Sequence, residues 1–320
     1  MIFNSAFRLL AAFVAAVPLV SCDRGSAALQ LAQSDPVWQR DSTLLTSKPA
    51  LLLRVIRDSA AGRARRRVTP IATLNANGLR PLSMGDRGWR ALDLAYLQSS
   101  ATITPFRYGD PLPPQPLTRG MWEGAPFDTL PGCVSLAPSA TVDVAADIEL
   151  AFAGTPPKHR LVPELSDVER ARILEDVMTL IAPTSGISMA QAAAYRRSVY
   201  TAATGAHATR TVVVVLTSAE TRPDTGVMMG QRPRQLIVVL DKGVYGYKPS
   251  YAFRDITDVQ TSPQRRYLGH LDVDGDGVSE LFFGLSDPKF PVVTYALRHE
   301  NDTWRDWWSY ERALCHAARN

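Results

Sequence analysis

The chain has 320 residues, 35 of them basic and 31 acidic, for a formal net charge of +4, and 46% are apolar types. That is enough for one large domain or two modest ones with proper cores. A balance so near neutrality excludes the electrostatic footprint of a nucleic-acid partner, and beyond the N-terminal segment no apolar run is long enough to span a bilayer as a helix.

Met1 to Arg8 form a short segment ending in a basic residue; an apolar run follows from Leu9 to Val17 and is broken by Pro18. A run this short reads as a secretory signal, since about twenty apolar residues are needed to cross hydrocarbon. It closes on Leu19-Val20-Ser21-Cys22, which resembles the lipobox of bacterial lipoproteins: aliphatic, tolerant, small, then cysteine. The resemblance implies cleavage after Ser21, lipidation of the Cys22 thiol, and a protein anchored to the cell membrane by lipid, facing the periplasm or the exterior. Two or more acyl chains hold stably, because each buried methylene contributes about 0.8 kcal/mol. An ordinary secretory signal with a chance cysteine is the alternative.

On that expectation residues 1–21 are signal peptide and residues 22–48 a lipidated, polar tether. Cys22 is then consumed by lipid, which leaves Cys133 and Cys315 as a pair in an oxidising compartment. A Cys133–Cys315 disulfide is expected, with a ceiling of about 5 kcal/mol for so long a loop; two free buried thiols are the alternative.

From Leu51 the pattern turns β-like. Leu51 to Ile56 reads as a strand and Arg67 to Leu74 as its partner, with an arginine-rich turn between them (Arg63, Arg65, Arg66, Arg67). Trp89 to Leu97 and Thr102 to Phe106 read as further short strands. Proline then dominates at Pro105, Pro111, Pro113, Pro114 and Pro116; lacking an N–H, such a stretch predicts a loop or stiff polyproline segment instead of sheet interior. Residues 49–160 thus form a β-rich region, with a soft boundary near Pro156, Pro157 and Pro163.

Residues 161–320 read as α+β. Ser166 and Glu169 make a capping box, and Val168, Ala171, Leu174, Val177, Met178 and Ile181 share one helical face, stopped by Pro183. A second helix is predicted from Ser188 through Tyr200, with Gln191 completing its box and Gly205 after its end. Strands are predicted at Thr211 to Leu216 and Leu236 to Leu240, flanking a long polar loop, and then at 245–253, 267–271, 281–285, 292–297 and 304–310. The fold class is α+β and β-rich: antiparallel sheets, two central helices and a C-terminal hairpin built on a cation-binding loop.

That loop is Asp272-Val273-Asp274-Gly275-Asp276-Gly277-Val278-Ser279-Glu280. Carboxylates at positions 1, 3 and 5 converge when the chain wraps a hard cation, a glycine at position 6 permits the sharp turn, and position 7 offers its carbonyl. Asp272, Asp274, Asp276, the Val278 carbonyl and Glu280 are therefore candidate Ca2+ ligands, for a structural ion. Position 12 is Phe283, so the loop is no complete EF-hand, and its flanks read as strands. It resembles instead the calcium loop of FG-GAP and VCBS-type β-repeats, over about residues 268–298; those families stack several copies and this chain has one. In millimolar calcium an affinity of about 0.1 mM would stabilise the fold by about 1.4 kcal/mol. An acidic, solvated turn without an ion is the alternative.

Other signals are weaker. The arginine turn, with Arg54 and Arg57 near it, could meet anionic lipid or an acidic envelope polymer, or be a solvated loop. Trp304, Trp307, Trp308 and Tyr310 could stack on carbohydrate, or be core and edge aromatics of a hairpin. Ser286 and Lys289 match a Ser-x-x-Lys spacing that Pro288 and Pro291 deny a helix. No residue is assigned a catalytic role. The expected function is a membrane-anchored envelope lipoprotein, its calcium-stabilised ectodomain binding an envelope polymer or protein or serving structurally; a hydrolase or accessory factor acting on envelope glycans or proteins is the alternative.

Overall fold

The computed structural model describes residues 48–57, 65–75, 78–82, 86–98, 101–121, 139–145, 147–158, 164–184, 186–188, 194–206, 210–218, 234–255, 264–286 and 293–310. Cys22, Cys133, Cys315, Arg63 and Lys289 lie outside them, as does most of the loop expected at 217–234.

The first sheet has nine strands: β1 (Ala50–Arg57), β2 (Arg65–Asn75), β3 (Gly78–Pro81), β4 (Thr102–Arg107), β5 (Asp110–Pro111), β6 (Gln115–Pro116), β7 (Arg119–Met121), β8 (Ser139–Asp143) and β9 (Leu150–Ala153). Its main path runs β5-β4-β9-β1-β2-β8-β7, with β3 on β2 and β6 on β4. β1 and β2 pair antiparallel as expected, with a bulge at Leu52/Leu53 where Pro70 faces Leu53. The helix α1 (Asp86–Tyr96) covers one face of this sheet.

The second sheet comprises β10 (Tyr195–Ala202), β11 (Thr211–Ser218), β12 (Gln235–Gly243) and β13 (Gly246–Asp255) in sequence order. Against it packs α2 (Asp167–Asp176), which continues through a π-turn (Val177–Ile181) into Ala182–Thr184. The third sheet is a meander of β14 (Gln264–Leu271), β15 (Glu280–Ser286), β16 (Thr294–Glu300) and β17 (Thr303–Tyr310). Every ladder in the three sheets is antiparallel. The β-rich α+β class read from the sequence holds.

Side-chain alternation stacks these sheets into layers. On β1, Leu51, Leu53 and Val55 face α1 together with Leu92, Tyr96 and Leu97. Leu52 faces the other way, joining Phe106, Phe152, Phe282, Ala296 and Trp308 between the first and third sheets. On β15, Phe282 points to that layer, while Leu281 and Phe283 point to Val213, Val215, Ile237 and Val239 of the second sheet. The remaining valines and leucines of β11 and β12 face α2. The order is α1, first sheet, third sheet, second sheet, α2. The third sheet is covered on both faces, so its central strand reads Leu-Phe-Phe with no polar alternation. The core layer between the first and third sheets joins residues 50–153 to residues 268–310 across the soft boundary read near residue 160.

Several expectations are corrected. The strand predicted at Trp89 to Leu97 is the helix α1: its short apolar–polar alternation also places Leu92 and Tyr96 four apart, and burial of both against the first sheet selects the helix. The helix predicted from Ser188 through Tyr200 is overturned where it is described, since Tyr195–Ala202 is β10, paired along its length with the valine run of β11. Tertiary pairing outweighs the local signal of its alanines, and Tyr195, Val199 and Tyr200 suit a pleated surface. Pro105 lies inside β4, paired opposite Ala151, instead of in a loop. The outer edge of β4 is met only by the two-residue β5 and β6, so a missing N–H costs few ladder bonds there.

The capping box of α2 is present: Ser166 Oγ accepts from the Glu169 N–H at 3.3 Å, and Glu169 Oε2 accepts from the Ser166 N–H at 3.4 Å. Burial falls on Ile173, Val177 and Ala182, while Val168, expected on the apolar face, is exposed. The helix also runs one residue past Pro183. The π-turn just before that proline loosens the stretch where its ring would crowd the carbonyl four residues back.

Candidate cation loop

The acidic segment connects β14 to β15 at one end of the third sheet. Its turns are written in aspartates: the Gly275 and Gly277 N–H groups donate to Asp272 at 2.8 and 3.1 Å, that of Asp276 to Asp274 at 3.2 Å, and that of Val278 to Asp276 at 2.7 Å. Such side-chain-to-backbone bonds fix a tight loop without ladder pairing. Gly277, at position 6, takes φ +90°, a region that an L side chain rarely enters.

One carboxylate oxygen from each of Asp272, Asp274 and Asp276 falls within 4.8 Å of the others. Ligands on opposite sides of a calcium ion at about 2.4 Å would stand about 4.8 Å apart, so the three side chains fit such an ion. Glu280 stands outside this group. It is 1% exposed; its Oε2 accepts from the Val273 N–H at 3.1 Å and its Oε1 from Arg298 Nε at 3.2 Å. Burial, with the negative charges of Asp276 and Asp272, pushes its carboxyl up to about 8 against the hydrogen bonds from the Val273 and Glu280 N–H groups. The Arg298 guanidinium acts the other way, favouring the ionised form.

Arg298 is the residue that sequence reasoning missed. It ion-pairs with both Asp274 and Glu280 and lies over the Trp307 ring at 4.1 Å. Its signal was present only as register: Leu297 pairs with Leu281, so one step further along the ladder Arg298 comes opposite Glu280.

The loop also touches all three sheets. A Cβ on Gly78, at the β2–β3 turn, would meet Trp307 at 3.2 Å and Asp274 Cβ at 3.5 Å. On the other side the Ser279 N–H donates to the Thr204 carbonyl at 2.7 Å. From there a buried relay runs from Thr204 Oγ1 to Thr211 Oγ1 (2.8 Å), to Asp241 Oδ1 (2.6 Å), whose Oδ2 accepts from Trp304 Nε1 (3.0 Å). Trp304, Trp308 and Tyr310 are buried and half-buried Trp307 packs beside them, so core and edge packing is the reading that holds for the C-terminal aromatics.

A second polar group sits where the sheets converge. His270 is 4% exposed; its Nε2 accepts from the Ala203 N–H at 3.2 Å, leaving the proton on Nδ1, 3.2 Å from the Tyr267 hydroxyl. Tyr108 of the β4–β5 turn, Tyr200 of β10 and Tyr267 of β14 form a ring cluster at centroid distances of 5.0–6.2 Å beside it. Burial holds the imidazole down to about 4, opposed by a backbone hydrogen bond with Tyr108.

Among the described residues no helix is long and apolar enough to cross a membrane. No family model, curated protein or solved structure matches the chain.

Proposed function

We propose that this chain is a membrane-anchored envelope lipoprotein whose ectodomain is held together by Ca2+ in the 272–280 loop and serves a binding or structural role. The supporting observation is the convergence of three aspartate carboxylates within 4.8 Å in a loop that contacts all three sheets. Bare, those carboxylates repel one another; a divalent ion removes that cost and ties the sheet junction. Asp272, Asp274 and Asp276 would hold the ion, with the Val278 carbonyl completing the shell and Glu280, now turned to Val273 and Arg298, closing it on reorientation. Lipid on Cys22 would supply the membrane attachment.

Calcium titrated into the chain should release binding heat and raise the melting temperature, and Asp274→Ala should lose both effects. Equal heats for the two proteins would refute the calcium reading. Mass spectrometry of membrane-fraction protein tests the anchor: an intact Met1–Ser21 leader with no fatty acid on Cys22 would refute it.

A further inference from the structure

The cation loop already holds a cation. Asp274 accepts the Asp276 N–H through Oδ1 at 3.2 Å, and Glu280 accepts the Val273 N–H through Oε2 at 3.1 Å. The other oxygen of each carboxylate, Asp274 Oδ2 and Glu280 Oε1, meets the Arg298 guanidinium. Arg298 thus occupies the two oxygens that these residues do not use to shape the loop.

Its place is set from behind as well. The guanidinium lies over the Trp307 ring at 4.1 Å, and Trp307 closes on the first sheet at Gly78, where a Cβ would meet the ring at 3.2 Å. A calcium ion drawn in by Asp272, Asp274 and Asp276 would stand beside this guanidinium, and two cations on one carboxylate repel. The ion carries twice the charge and takes oxygens from all sides, whereas the guanidinium pairs in one plane. The two are alternatives, and at sufficient calcium the ion prevails.

We infer that Arg298 is a tethered competitor for this loop: calcium binds by displacing its guanidinium from Asp274 and Glu280, and the displacement is felt at Trp307. The inference rests on the calcium reading and adds the regulation of that site. While Arg298 is seated, the binding-competent loop is a minority form, and the apparent affinity falls by the fraction that is free. The calcium level at which the loop fills is thus set by a residue of β16. Its filling is transmitted to the ring that packs against the β2–β3 turn.

The test titrates calcium into the full chain, Arg298→Ala and Arg298→Gln, by calorimetry and by tryptophan emission. Trp307→Phe, made in each background, identifies the share of the signal that belongs to Trp307. Both Arg298 variants should bind about tenfold tighter, as for a loop that is competent about one-tenth of the time in the wild type. Calcium should shift Trp307 emission in the wild type and leave it unchanged in the variants. The glutamine variant is neutral and still donates to carboxylates, so the comparison survives if the alanine variant fails to fold without calcium. Equal affinities in all three proteins overturn the inference while the calcium reading stands, and so does Trp307 emission that moves alike in all three or not at all. No binding heat from any of them, Arg298→Ala included, overturns both.

Discussion

The Arg54 guanidinium of the first sheet lies over Gly284 of the third: a Cβ at Gly284 would stand 2.7 Å from Arg54 Nη2. Arg54 is 1% exposed, and its Nη2 meets Glu149 at 2.7 Å while Arg266 of β14 meets the same carboxylate at 2.9 Å. Burial lowers the pKa of Arg54, with the charge and hydrogen bond of Glu149 opposing. The result is an Arg–Glu–Arg clamp between two sheets whose shared core layer is apolar.

Which partner is removed is expected to matter. Glu149→Ala orphans a guanidinium that is 1% exposed and should lose about 3 kcal/mol, whereas Arg54→Met leaves Glu149 still paired with Arg266 and should lose less. Urea denaturation of the two variants checks this; equal losses would mean that the clamp acts through packing alone.

Arg298 occupies part of the cation loop with its own charge, so Arg298→Ala should separate the calcium-free and calcium-loaded states. Without calcium the variant leaves Asp274 and buried Glu280 uncompensated and should lose about 2 kcal/mol or more. With calcium the loss should shrink, because the competing cation is gone. Melting temperatures in chelator and in millimolar calcium should therefore lie further apart in the variant than in the wild type.

His270 gives the fold a pH dependence of known sign. Its folded value, about 4, lies below the ordinary 6.5, so the unfolded chain binds the extra proton between them. Stability contributed by the neutral ring is full above pH 6.5 and is lost as pH falls towards 4, by about 3 kcal/mol at 1.36 kcal/mol per unit. His270→Gln should flatten this part of the stability–pH curve, measured at fixed calcium. A parallel curve for the variant would assign the slope to other groups.

The same ring sets the tolerance at Gly109. A Cβ there would fall 2.3–2.7 Å from three His270 ring atoms, at φ +116°. Gly109→Ala is expected to cost about 3 kcal/mol or more from collision and strain together, read by thermal unfolding. A near-neutral result would mean that the Tyr108–Gly109 turn lifts freely off β14.

Much of the local structure was legible in the chain. The Leu51 to Ile56 strand, the valine run of β11, the Ser166–Glu169 box and the aspartate spacing at 272–276 each carry their signal within a few residues, because propensity, capping and loop geometry act over short range. What needed tertiary structure was every feature that depends on which face meets which. A strand reading could not show that both faces of β15 are covered, that Arg54 in an apolar run shares Glu149 with Arg266 of another sheet, or that Tyr195–Tyr200 would give up its helical pattern to pair with β11. Arg298 reaches the acidic loop only through the β15–β16 register. Sequence fixes what each short segment prefers; burial of one segment against another decides which preference survives, since the free energy of packing apolar faces exceeds the small differences between local conformations.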